Sequence, residues 1–89
     1  MYYTYVLQSQ HHGRYYIGST VDLANRLSEH NAGKSLATRN GIPWVVVHSE
    51  EFLSLREARQ RERQIKSWKN PQYMARKLFL NNPAGERPD

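Results

Sequence analysis

The sequence predicts a small single-domain α/β fold, a three-stranded antiparallel sheet flanked by about three helices. Three observations lead there. The chain up to Thr20 holds two aromatic, β-branched runs on either side of a polar break with a glycine, the mark of a hairpin. Near Asp22–Asn31 and again from Leu55 the apolar spacing changes to three and four, the mark of helices. Between these lies a further apolar run at Trp44–His48.

Tyr2 to Ser9 reads as the first strand, with Tyr3, Tyr5 and Leu7 on one face and Thr4, Val6 and Gln8 on the other. Gln10-His11-His12-Gly13 is the hairpin loop, Tyr15-Tyr16-Ile17 the returning strand, and Gly18-Ser19-Thr20 its break. From about Asp22 to Asn31 Leu23 and Leu27 make an apolar stripe, with Arg26 and His30 on the neighbouring face. Thr20 or Asp22 suits the start of that helix and Gly33 its end. Lys34 to Ile42 is polar and basic and reads as an exposed loop. Trp44 to His48 is the third strand, and its unbroken apolar run predicts a place buried on both faces, in the middle of the sheet.

Ser54-Leu55-Arg56-Glu57 has the form of a capping box, because the serine and glutamate side chains can satisfy the first free N–H groups of a helix. It opens the longest helix, Leu55 to about Lys69. Asn70-Pro71 restarts a last helix to about Leu80, with Met74, Leu78 and Tyr73 turned inward. The domain is expected over 1–80, with a frayed tail at 81–89 that carries two Pro and one Gly.

Composition narrows the function. A chain of 89 residues has room for one core and argues against a large enclosed substrate cavity. With no cysteine, disulfides, zinc knuckles and thiolate chemistry are excluded. The longest apolar stretch is Trp44–Val47, so no membrane span or signal peptide is expected, and the cytoplasm is the default place. Thirteen Lys and Arg against eight Asp and Glu leave +5, and Arg outnumbers Lys nine to four. Arg forks onto phosphate as Lys cannot, so a polyanionic partner is favoured.

Glu62 is the most informative residue. Leu55, Ala58, Glu62 and Ile65 follow one helical stripe, which sets a carboxylate among apolar neighbours. A buried carboxylate needs a partner. An ion pair with Arg26, a satisfied position at the rim and a metal ion all meet that need. The other acids fall in caps, loops and the tail, which permits one Mg²⁺ held by a single carboxylate, waters and a substrate phosphate. On the same helix Arg56, Arg59, Arg63 and Lys66 form a second stripe, either a solvated face or a track for a phosphate backbone that Lys34 and Arg39 extend.

Five of the six tyrosines lie in the first hairpin, where they serve as cross-strand pairs. A phenol also carries protons if a nearby cation lowers its pKa from about 10. Arg26 suits a phosphate and the charge that develops on it, and His30 suits proton transfer near neutral pH. His11 and His12 read as loop surface and His48 as structural.

These residues together resemble the GIY-YIG nuclease domain, in particular its small stand-alone bacterial members. The second half of the signature is literal in Tyr16-Ile17-Gly18. The first half is degenerate in Tyr3-Thr4-Tyr5, with only the last Tyr matching and ten residues between Tyr5 and Tyr16. The helical Arg of the family falls on Arg26, the His one turn later on His30, and the metal-binding Glu on Glu62. His30-Asn31, Gly33-Lys34, Thr38-Arg39 and Pro43-Trp44 also resemble the stand-alone members.

The resemblance implies a GIY-YIG fold and an endonuclease that hydrolyses phosphodiester bonds of DNA, structured or damaged. One Mg²⁺ or Mn²⁺ would sit on Glu62, Tyr5 or Tyr16 would act as base, Arg26 would neutralise charge, and His30 or a Tyr would assist proton transfer. DNA, with RNA as the alternative, is the expected partner, together with a protein that supplies targeting; no membrane and no small-molecule cofactor is expected. Two other readings stay open: an idle nucleic-acid-binding module, and a small interaction protein whose hairpin contacts another protein.

Overall fold

A computed structural model describes residues 1–80, and the expected tail at 81–89 lies outside the described residues. The elements are β1 (Tyr2–Ser9), β2 (Tyr15–Thr20), α1 (Leu23–Asn31), β3 (Trp44–Phe52), α2 (Leu55–Ser67) and α3 (Pro71–Ala75), which runs on into a π-helical turn at Arg76–Leu80. The three strands form one antiparallel sheet in the order β2-β1-β3. This is the predicted α/β class.

The strand in the middle is β1, not β3. Thr4, Tyr5, Val6 and Leu7 are all buried, whereas in β3 only Trp44 is. The alternation in β1 explains it, because each of its faces carries a set of residues able to pack. Tyr5 and Leu7 join Trp44, Leu23 and Leu27 on the α1 side. Val6 joins Ile65, Met74 and Leu78 on the α2–α3 side, where the Thr4 hydroxyl also donates to the Ala58 carbonyl at 2.6 Å. The valines of β3 lie half-buried at a sheet edge, so their apolar run reflects strand propensity rather than burial on two faces.

The caps are as expected. Asp22 accepts from the Asn25 N–H at 3.0 Å, and Ser54 from the Glu57 N–H at 3.2 Å. Gly33 takes φ +78 beyond α1. α2 stops at Ser67, two residues short of the expected end. Lys69 turns into the left-handed region at φ 60, and Asn70, extended before Pro71, caps α3 through the N–H groups of Gln72 and Tyr73. Met74 and Leu78 are buried as expected, but Tyr73 is exposed, with its ring edge-on to Trp68. The loop at Lys34–Ile42 is not wholly exposed either. Thr38 and Gly41 are buried, and the Trp44 indole donates to the Thr38 carbonyl at 2.7 Å.

Candidate active site

Tyr5 stands in β1 opposite Gly18 of β2. A Cβ at Gly18 would meet the Tyr5 hydroxyl oxygen at 2.5 Å, so the glycine of Tyr16-Ile17-Gly18 leaves the space that the phenol fills. Tyr5 is 1% exposed. Its hydroxyl lies 3.1 Å from Nε2 of His30, and Nδ1 of His30 lies 2.8 Å from the Thr38 hydroxyl. Tyr16 closes the same group, with its ring edge-on to His30 at 5.1 Å and to Trp44 at 6.4 Å.

The sequence suggests His30 as a group for proton transfer near neutral pH. It is fully buried, with both ring nitrogens engaged inside the protein. Burial, and then the charge of Arg26, hold its pKa below the ordinary value. A neutral imidazole results, able to donate from one nitrogen and accept at the other. The expectation of a phenol with lowered pKa fails at Tyr5 for the same reason. Burial raises its pKa, the charges of Tyr16 and Glu62 add to the rise, and Arg26 opposes it without prevailing.

Arg26 leaves α1 one turn before His30 and donates to Glu29 at 2.8 Å. The hydrogen bond to Glu29, with the nearby Tyr5 phenol adding to it, holds the guanidinium in its protonated form by raising its pKa. Of the alternatives open for Glu62, the ion pair with Arg26 is not formed among the described residues.

Glu62 sits at the rim of the α2 face rather than in the core, with its side chain 19% exposed. Ser19 donates to Oε1 at 2.5 Å and Lys66 to Oε2 at 2.6 Å. Burial pushes its pKa up, but the hydrogen bonds from Lys66 and Ser19 outweigh that and keep the carboxylate ionised, with the charge of Arg59 helping. Because side chains alternate along β2, Ser19 and Glu62 lie on the α2 side while Tyr16 and Gly18 face α1. The charge of Glu62 still acts on the Tyr5 phenol from across the sheet.

Among the described residues no group of three or more His, Asp and Glu gathers as a metal cage. The donor set at Glu62 is a single ionised carboxylate that already accepts a cation, the Lys66 ammonium. That fits a hard divalent ion which keeps most of its waters.

Tyr5, Tyr16 and His30 therefore come together on the α1 face with Arg26 one turn before His30, while Glu62 lies on the α2 face, bonded to Ser19 and Lys66. Of the expected basic track, Lys66 and Arg59 lie at the carboxylate, and Lys34 lies near enough to Glu29 to lower its pKa. Arg39 is turned to the Gly33 carbonyl at 3.1 Å, and Arg56 and Arg63 are exposed on α2. Arg61 faces away, bound to Glu50 at 2.9 Å. Sequence reasoning missed Ser19, Glu29 and the supporting roles of Asn31 and Thr38. Asn31 bonds the Trp44 backbone in both directions, at 2.7 and 3.0 Å, and so ties α1 to β3. The Arg26–Glu29 spacing of three was the one legible signal among these. His12 is exposed on the loop as expected, with its ring edge-on to Trp44 at 5.7 Å, and His48 is structural as expected, bonded to Glu50 at 2.7 Å.

Residues 1–77 match the family model described as the GIY-YIG catalytic domain. The chain belongs to that family. Its GIY-YIG relatives include a UPF0213 protein of Streptococcus pneumoniae, 41% identical over 79% of this chain and 71% of that one. Another, from Halobacterium salinarum, is 42% identical over 74% of this chain and 86% of its own length. A solution NMR structure of a UPF0213 protein from Bacillus halodurans aligns over the whole of both chains with a TM-score of 0.52 and 28% identity. The family is nuclease-type, so a nucleic-acid substrate is the coarse functional assignment. Among the described residues no helix is long and apolar enough to cross a membrane.

Proposed function

We propose that this GIY-YIG domain is a divalent-metal-dependent endonuclease that hydrolyses phosphodiester bonds of branched or damaged DNA. One observation supports the reading: the Tyr5 hydroxyl lies 3.1 Å from His30 Nε2, and the charges of Arg26 and Glu62 both act on that phenol. A phosphate would lie against Arg26, whose guanidinium neutralises charge developing on the phosphoryl oxygens. Glu62 would hold one Mg²⁺ or Mn²⁺, which when bound supplies an acidic water and a clamp on the phosphate. Lys66 would leave the carboxylate for the phosphate backbone.

The Thr38 hydroxyl has the Ser35 carbonyl as an acceptor at 3.5 Å, which leaves its lone pairs for His30 Nδ1–H. Nε2 then accepts from Tyr5. In this arrangement Tyr5 is a relay rather than a standing phenolate. It takes a proton from the attacking water as it gives its own to His30. Tyr16, half-buried, is the alternative base. Lys34, Arg39, Arg56, Arg59 and Arg63 are assigned to the flanking phosphates.

RNA is the alternative substrate, and a separate protein is proposed to supply targeting. No small-molecule cofactor enters the scheme, and the cytoplasm is its proposed place. The test is nicking of branched and single-stranded DNA with Mg²⁺ or Mn²⁺. Metal-dependent turnover supports the reading. Salt-dependent binding without turnover favours an idle binding module, a reading to which the Lys66 ammonium on Glu62 lends some support.

A further inference from the structure

We propose that the open cavity between the hairpin tip, β2 and the α2–α3 junction is a nucleobase site. It takes one unpaired base of a single-stranded segment whose neighbouring phosphate lies at Glu62. The inference rests on the nuclease reading for that phosphate and extends it to the class of substrate.

The cavity measures about 420 Å³, within the roughly 300–1,000 Å³ of small-ligand sites. Ile17, Ile65 and Met74 make an apolar floor and Tyr15 a wall. Arg14 and Lys69 are exposed cations at the rim, and no carboxylate lines the cavity. An apolar floor under a rim whose charges are all cationic side chains, beside His12 and Asn70, suits a flat, weakly polar group that carries an anion. An unpaired nucleobase with its phosphates is such a group, whereas a base inside a duplex keeps its faces stacked and hidden.

Position links the cavity to the site. Lys66 lines it and also donates to Glu62 at 2.6 Å. A strand that draws Lys66 onto a phosphate therefore has the cavity beside it.

Lys69 adds an independent observation. It follows α2 with φ 60, the position and conformation in which helices ordinarily place glycine. A non-glycine residue holds that conformation at a cost to the backbone, and here its long cationic side chain stands at the cavity rim.

The experiment follows the methyl groups of Ile17, Ile65 and Met74 by NMR, with Ile42 on the other side of the sheet as the internal control. The probes, without metal, are a thymidine trinucleotide and an abasic trinucleotide with the same phosphates. The thymidine probe is expected to shift the three cavity methyls but not Ile42, and to bind about tenfold more tightly than the abasic one. Lys69→Gly is expected to keep or raise the Tm and to lose roughly fivefold in affinity. Equal affinity for the two probes, or cavity methyls that stay still, overturns the proposal and leaves only attraction of the phosphates. The readout needs no cleavage. A protein that prefers the base yet never cuts DNA loses the nuclease reading and keeps the cavity assignment, and one that cuts yet ignores the base does the reverse.

Discussion

His30 Nε2 lies 3.1 Å from the Tyr5 hydroxyl, and the two residues are 0% and 1% exposed. Each is therefore the other's hydrogen-bond partner in place of bulk water. His30→Ala takes the imidazole partner from both the Tyr5 and the Thr38 hydroxyl, at about 1–3 kcal/mol for each buried group. Thermal unfolding should show that loss. Nicking should fall more steeply than in Tyr16→Phe if the relay runs through Tyr5, and an equal or smaller fall would transfer the base to Tyr16.

Gly18→Ala sets a methyl 2.5 Å from the Tyr5 oxygen and 2.7 Å from its Cζ. Overpacking of this kind costs about 1–3 kcal/mol. The expected result is a lower Tm together with loss of nicking, since the phenol has to move. In a Tyr5→Leu background the same change should cost much less. Additive costs in the double variant would show that the two positions do not compete for space.

Burial, then Arg26, hold the His30 pKa below 6.5 in the folded chain. The unfolded chain takes up that proton more readily. The contribution is therefore fully present above the ordinary value, and stability is lost as pH falls through 6.5 towards the folded value. Glu50 and Glu62 have folded values below 4.5, so what they contribute is lost only as pH falls below that. Denaturant midpoints should begin to decline near pH 6.5, and His30→Gln should abolish this first decline while the acid one persists. An unchanged upper decline would assign it to another group.

Lys69→Gly should stabilise the free protein by up to about 1 kcal/mol, because glycine enters the left-handed region without the Cβ penalty. Chemical denaturation measures this directly, and a destabilised variant would mean that the lysine side chain makes a contact worth more than its backbone cost.

Much of this architecture was legible because local chemistry and tertiary packing agree. Asp22, Ser54 and Asn70 are caps in the sequence and caps in the fold. The alternation of Tyr5 and Leu7 against Thr4 and Val6 placed them on the correct faces. Strand order was not legible, since Val45-Val46-Val47 suits an edge as well as a centre until the pairing is known. The five site residues could be named by their resemblance to GIY-YIG domains, but their environments could not. Whether His30 meets water, and whether a phenol beside Arg26 is lowered or raised, depends on burial created by residues distant in the chain. The partners of Glu62 were hidden likewise, for Ser19 is 43 positions away.

The central claim is that Glu62 and Tyr5 serve one phosphodiester-cleaving site. The most direct measurement is single-turnover nicking of branched DNA in Mg²⁺, wild type against Glu62→Gln, with DNA affinity measured on the same samples. Loss of the carboxylate should lower the rate by at least about 100-fold while affinity stays within a few-fold. A Glu62→Gln protein that nicks at the wild-type rate would contradict the account.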